Sequence, residues 1–337
     1  MKKIIAVLTL ITLIFASLTG CSAKAGATEA TNQTNESGEN KEKFKIGIVQ
    51  TMNHPSLDEI REYTIIGLEE LGLEDKIEIN YKDAQGDPSN INTIVSQFIG
   101  EEVDMIIPIA TGAAQTTASL TKDIPIVFAA VSNPVEAGLV KDLSIADTNI
   151  TGVSNAIAVE EILDLSQELT PGIKTYGLIY NSGEINSLTG IKRAKNYLDE
   201  KGYKYVEATI TNSGELLQVT QSLIGKNVDA IFTSNDNTVA TAMPVLASEA
   251  IKAKIPVYVG VDSLVKDGGL ATVGIDYKVL GRQVAHMVKR IYEGQSIAEN
   301  PIEQIKENTK MINNTTLKAL GLRIEEEKLK DFKSIEQ

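Results

Sequence analysis

Thr111-Gly112-Ala113-Ala114 is the segment of this chain best suited to hold an anion. It follows the apolar run 105–109 and opens a helical pattern. Its small residues would let a carboxylate approach the free backbone N–H groups of a first helical turn, with the Thr111 hydroxyl beside them. The same residues also suit a tight strand-to-helix turn without a ligand. The complementary charge comes from Asp262, which ends the run 257–261, and from Asp236 in Ser234-Asn235-Asp236-Asn237. Either could pair with a cationic amino group, and Asp236 could equally cap the helix that follows it. Further loops offer neutral donors and acceptors: Gln50 to His54-Pro55, Ser132-Asn133-Pro134, and Asn181 to Ser187. Tyr180, Tyr258, Phe128 and Phe232 stand near strand ends where a ring could stack, with core packing the default for the two phenylalanines. Such groups hold a small polar molecule rather than transform one.

Catalytic constellations are thin. His286 lies in a helical pattern and reads as a helix-face residue, while His54 either lines a site or fixes its loop beside Pro55. No His-x-x-x-His or cysteine cluster suggests a metal, and neither the serine-hydrolase elbow nor the P-loop pattern occurs. The acidic runs Glu101-Glu102 and Glu325-Glu326-Glu327 read as solvated helix faces. A non-enzymatic protein without cofactor or metal is expected.

These loops need elements to position them. From Phe44 onward, short β-branched runs alternate with helical patterns: 45–49, 77–81, 105–109 and 124–128, then 175–180, 205–208, 230–233 and 256–260. Strands without polar alternation, separated by helices, indicate parallel sheets covered on both faces. Asp58, Ser89, Ser187 and Ser213 mark expected helix starts. The two sets look like copies of one layout, as in Val103-Asp104-Met105-Ile106-Ile107 beside Val228-Asp229-Ala230-Ile231-Phe232, and Lys122-Asp123-Ile124-Pro125 beside Lys254-Ile255-Pro256. An α/β protein of two similar doubly wound parallel-sheet lobes facing a cleft follows. Ligands of such sheets bind beyond the carboxyl ends of the strands, where the loops above converge.

Ahead of this body lies a different kind of sequence. Met1-Lys2-Lys3 is basic, the stretch from Ile4 to Leu18 is nearly all apolar, and Leu18-Thr19-Gly20 precede Cys21, the sole cysteine of 337 residues. The apolar run falls short of the roughly 20 residues of a membrane span. It reads as a secretory signal over 1–20. Leu-Thr-Gly-Cys resembles the bacterial lipobox, in which the cysteine sulfur is lipidated and becomes the new N-terminus. Residues 22–43 contain no large apolar side chain and read as a flexible tether with a reach near 25 Å. The formal net charge of −13 disfavours a nucleic-acid partner, and the lone thiol leaves none for a disulfide.

Over nearly all of 44–325 the chain resembles the type I periplasmic-binding-protein fold. It is similar to the aromatic amino-acid-binding lipoproteins of ABC importers, the tryptophan/tyrosine group. The resemblance is carried by Ile46-Gly47-Ile48-Val49-Gln50 with His54-Pro55, and by Ala110-Thr111-Gly112-Ala113-Ala114-Gln115. It extends through Ser132-Asn133-Pro134-Val135-Glu136-Ala137-Gly138-Leu139, Gly152-Val153-Ser154, Tyr180-Asn181, Ser234 to Val239, and the closing Asn313, Thr315, Leu317 and Leu320-Gly321-Leu322. It implies capture of an aromatic amino acid by lobe closure and delivery to a permease and its ATPase. It also implies a monomer on the extracytoplasmic face, attached to the membrane by lipid alone. Three crossings between lobes are implied, near 153–156, 274–278 and 297–302, giving lobe one as 44–154 with 277–298 and lobe two as 155–276 with 299–337. The candidate ligand-binding set is Gln50, His54, Thr111, Gly112, Ala113, Ala114, Ser132, Asn133, Tyr180, Asn181, Asn235, Asp236 and Asp262. The alternatives are a surface lipoprotein acting in adhesion or sensing, and a binder of a sugar or nucleoside. Sugar-responsive repressors share the fold but carry a DNA-binding helix pair where this chain has signal and tether.

Overall fold

The computed structural model describes residues 42–144, 148–305 and 307–335, so the signal, Cys21 and most of the tether lie outside the described residues. In chain order the first half contains β1 (Phe44–Gln50), α1 (Pro55–Glu70), β2 (Ile77–Asp83), α2 (Pro88–Gly100), β3 (Met105–Ile109), α3 (Thr111–Leu120), β4 (Ile126–Ala129) and β5 (Ile150–Ser154). The second half runs α4 (Val159–Leu169), β6 (Thr175–Asn181), α5 (Ile185–Lys201), β7 (Lys204–Ile210), α6 (Leu216–Gly225), β8 (Ala230–Thr233), α7 (Asn237–Ala240), α8 (Met243–Lys252), β9 (Val257–Val259), α9 (Asp262–Lys266) and β10 (Ala271–Gly274). The chain closes with α10 (Tyr277–Tyr292), β11 (Glu303–Gln304), β12 (Thr309–Asn313), α11 (Asn314–Leu320), α12 (Glu326–Leu329) and β13 (Lys333–Ile335).

Two sheets form, ordered β2-β1-β3-β4-β5-β11 and β7-β6-β8-β9-β10-β12-β13. The first five strands of each follow the same permutation, so the repeat read in the sequence is a repeat of topology. Every pairing is parallel except that of β10 with β12. Both faces of the inner strands are covered, which is why they carry no polar alternation, whereas the edge strands β2 and β7 are partly exposed. In the first lobe Ile46, Ile48, Met105 and Ile107 pack on one side with Leu57 and Ile60 of α1 and Leu280 and Val284 of α10. Val49 and Ile106 pack on the other with Val95 and Phe98 of α2.

Three helices begin earlier than their polar markers suggested, and α6 begins later. Pro55 and Pro88 occupy the first turns of α1 and α2, where a missing N–H costs nothing. Asp87 rather than Ser89 caps α2, accepting from Ser89 N at 2.8 Å. α5 opens at Ile185, and Ser213 sits in a 3-10 turn ahead of α6.

The chain passes between sheets after β5, after β10 and after β11. α10 returns to the first lobe and lies tightly against α1. A Cβ on Gly281 would stand 2.7 Å from Ile60 O, so only glycine permits that approach. The third crossing comes later than 297–302: Glu303 and Gln304 still pair with Val153 and Ser154 of the first sheet. Residues 299–304 therefore accompany the first lobe, because a strand edge at β5 is available to satisfy their backbone groups.

Candidate functional site

The carboxyl ends of β1, β3, β4, β5, β8 and the segment after β9 converge on a narrow cavity of about 20 Å³ in this closed form, a void of about the size of a water molecule. From the first lobe it is lined by His54, Ser56, Leu57, Ala110, Thr111 and Ala130, and from the second by Asn186, Asn235, Asp236, Asn237, Ala240 and Val261. Asn155 and Tyr277, on the first two crossings, complete it.

The first lobe presents main chain. α3 starts at Thr111 with no side-chain cap, leaving the N–H groups of its first turn without an intrahelical partner. Ala110, just before it, holds φ 78° and ψ 162°, and Ala130, at the end of β4, holds φ 59°. Both are left-handed conformations that a side chain disfavours. They are held in place by Ala110 N donating to Ala129 O at 3.0 Å and Ala130 N to Val153 O at 2.9 Å. Two strained alanines on one cavity wall mark backbone positioned at a local cost, about 1–3 kcal/mol for such a residue.

The second lobe presents side chains. Asp236 caps α7: its Oδ1 accepts from Val239 N at 2.8 Å, and its Oδ2 from Asn181 N at 2.5 Å and Ser187 Oγ at 2.6 Å. Glu184 accepts from Asn237 N and Nδ2 at 3.0 and 2.7 Å, and from Thr238 N and Oγ1 at 2.9 and 2.8 Å. Burial first, and the Glu184 charge second, push the Asp236 carboxyl above the usual aspartate range. Asp262 begins α9; one oxygen meets Lys266 Nζ at 3.2 Å while Oδ1 is buried without a partner.

The lobes touch directly around the cavity. His54 Nε2 lies 3.2 Å from Asn237 Oδ1, Ser56 Oγ donates to Ser263 Oγ at 2.6 Å, and Asn235 Nδ2 donates to Ser132 Oγ. At the rim Thr189 Oγ1 donates to the Glu136 carboxylate at 2.6 Å. The arrangement is a closed cleft.

Of the residues singled out from sequence, His54, Thr111, Asn235 and Asp236 line this cavity. Ser132 meets Asn235 at the lobe junction, and Asp262 follows the lining residue Val261. The others stand elsewhere. Gln50 is buried behind, donating to Met52 O and Asp58 Oδ1 at 2.8 Å each and thereby fixing the loop after β1. Gly112 and Asn181 line a wider groove outside the cavity. Ala113 and Ala114 point into the apolar packing of the first lobe, since α3 turns those positions inward. Asn133 accepts from Glu136 N at 3.1 Å within its own turn. Tyr180 donates to Glu207 of β7 at 2.8 Å, beside α5 and away from the cavity, its hydroxyl pushed up to about 12 by burial and that carboxylate. Phe128, Phe232 and Tyr258 are fully buried in the cores.

The aromatic side chain that does reach the cavity, Tyr277, lay outside the candidate set, as did Asn155, while Asn186, Asn237 and the supporting Glu184 belong to loops singled out from sequence but were not themselves chosen. Asn155 immediately follows a strand end, a signal that could have found it. Tyr277 sits one residue past the Asp276 cap of α10 and has no comparable signature. Among the described residues no group of three or more His, Cys, Asp or Glu side chains could hold a metal ion.

Two lobes of matching topology closed over a small polar cavity define a solute-binding protein of the periplasmic-binding-protein fold. The chain belongs to the ABC transporter substrate binding protein family, whose model matches residues 45–335. It is 36% identical over 338 residues, 99% of this chain and 97% of the relative, to a tyrosine-binding protein of Clostridioides difficile (strain R20291). An ABC domain from Streptococcus pneumonia, solved in complex with L-Trp, is 34% identical with a TM-score of 0.84, covering 87% of this chain and 100% of that one. A substrate-binding protein with adhesive properties from Clostridium difficile, solved ligand-free and open, is 36% identical over 87% of this chain and 99% of that one, with a TM-score of 0.68. At nearly equal identity the present structure matches the L-Trp complex better than the open form, in keeping with its closed cleft.

Proposed function

We propose that this protein captures an aromatic amino acid in the cleft and hands it to an ABC permease and its ATPase for import. The observation that supports the reading most is the polarity of the cavity. Unpaired helix N–H groups face it from the first lobe and buried carboxylates stand on the second, matching the two charges of a zwitterion. The α-carboxylate sits on the opening turn of α3. The ammonium group pairs with Asp262, whose Oδ1 lacks a partner, while the oxygens of Asp236 are already engaged. A ligand touching both lobes stabilises the closed state by differential affinity, and the permease reads that state. The tyrosine-binding and L-Trp-bound relatives favour an aromatic side chain.

Binding is tested by thermal unfolding with tyrosine, tryptophan and phenylalanine. A ligand present at about 100 times its dissociation constant adds about 2.7 kcal/mol. No shift with any of the three, together with a shift by a sugar or nucleoside, moves the protein to another branch of the same fold. Native mass spectrometry of the purified protein names the ligand.

The reading includes a lipid on Cys21 that holds the protein to the outer face of the membrane. Cys21→Ala is expected to release the protein or leave its signal uncleaved. Unchanged fractionation, with no lipid mass on the wild type, would refute the anchor. The adhesive relative favours a second role in surface contact, which a partner pull-down with and without ligand addresses.

A further inference from the structure

Two of the three crossings between the lobes meet at the floor of the cavity. Asn155 is the first residue after β5 and Tyr277 the first of α10, and Asn155 Nδ2 donates to Tyr277 Oη at 3.3 Å. Asn155 is 5% exposed and Tyr277 2%. The other end of the Asn155 amide, Oδ1, is buried with no hydrogen-bond partner, although both residues line the cavity. A buried acceptor left unmatched is unfavourable, so the arrangement is completed by a donor arriving from the cavity.

Which donor follows from the neighbouring atoms. His54 Nδ1 is likewise buried and unmatched, and it is an acceptor when Nε2–H donates to Asn237 Oδ1. Asp262 Oδ1, one residue beyond the lining Val261, is the third such atom. A carboxylate has no hydrogen to offer any of them, whereas an ammonium group has three. We infer that Asn155 Oδ1 accepts a hydrogen from the ammonium group of the bound amino acid, so that the ligand is attached to a lobe crossing itself. The inference rests on the amino-acid reading of the cavity.

The position gives this contact a distinct role. Contacts to α3 and to Asp262 lie on opposite lobes and are made together only when the cleft is closed. A crossing residue belongs to neither moving body, so its contact with the ligand can form before closure and orient the amino end for the second lobe. Asn155 is thus a positioning residue for the ligand, and Tyr277, bonded to its amide, holds that amide in place.

The test compares L-tyrosine with 3-(4-hydroxyphenyl)propanoate, the same acid without the amino group, by titration calorimetry on wild type and Asn155→Ala. The variant is expected to bind L-tyrosine about 10- to 100-fold more weakly, the usual loss of a hydrogen bond to a charged group, and to bind the desamino acid as the wild type does. An equal loss on both ligands would overturn the inference, as would no loss on either. Tyramine, which lacks the carboxylate, gives a third arm: a loss that persists with the desamino acid and disappears with tyramine places the amide against the carboxylate instead. Asn155→Asp keeps an acceptor and is expected to retain L-tyrosine. A folded Asn155→Asp protein that no longer binds it overturns the inference even where Asn155→Ala does not fold. Failure of the wild type to bind tyrosine, tryptophan or phenylalanine removes the amino-acid reading itself, an outcome distinct from all of these.

Discussion

The two walls of the cleft are made of different material. The first lobe faces the cavity with an uncapped helix start, two alanines at positive φ and no charged side chain besides what His54 can acquire. The second faces it with Asp236 and three asparagines, backed by Glu184 and flanked by Asp262. One pole of the site is therefore a property of backbone geometry and the other a property of side-chain chemistry, although the lobes share one topology. The matching strand orders present two equivalent sets of strand ends, built from different groups.

That contrast is broken most sharply at its two aspartates. Asp236→Ala strips three donors of their acceptor in a buried place, so it is expected to cost about 3 kcal/mol or more of folding stability, read by denaturant unfolding without ligand. Asp262→Asn is expected to leave the ligand-free melting temperature nearly unchanged, since its ion pair with Lys266 is partly exposed, and to weaken amino-acid binding by about 2 kcal/mol. If Asp262→Asn binds like wild type while Asp236→Asn does not, the amino pole belongs to Asp236.

The same contrast explains what could be read from sequence. The parallel sheets, the repeat and the strand-end loops were legible because apolar periodicity and loop composition are local properties. Asp236, Asn235, Thr111 and His54, which line the cavity, were legible as candidates because a strand end rich in polar residues announces itself. Gln50, Asn133 and Tyr180 satisfy the same rule and point elsewhere, because composition does not say which way a loop turns. The strained backbone at Ala110 and Ala130 had no signature at all, since alanine carries no preference for positive φ. Tyr277 depends on a return of the chain after more than 100 residues, which only the packing of α10 on α1 determines.

The backbone half of the contrast is sharpened at Ala110. Replacing alanine by glycine normally destabilises, but Ala110→Gly removes a Cβ from a residue at φ 78° and ψ 162°. The variant is expected to gain about 1 kcal/mol in stability while the α3 opening loses definition and ligand binding weakens. A variant less stable than wild type by the ordinary glycine penalty would show that the wall is not strained.

The smallest effect expected is also the one that crosses the cleft. His54 bridges to Asn237 of the facing lobe, and burial, opposed more weakly by its hydrogen bond to Asn237 and by the charges of Asp58 and Glu184, holds its pKa below the usual histidine value of 6.5. The closed, folded form thus binds fewer protons than a form in which the ring meets water. The sign follows: the His54 contribution to closure is complete above about pH 6.5 and is lost as pH falls from there toward the depressed value. Protonation would also put a second N–H at Nδ1, which is buried without an acceptor. His54→Gln keeps a donor toward Asn237 but does not titrate, so it is expected to bind within about 1 kcal/mol of wild type at pH 8. Below pH 6.5 the wild type should lose affinity relative to the variant. Parallel pH profiles for the two proteins would show that His54 meets water in the closed form and that the second lobe does not cover it.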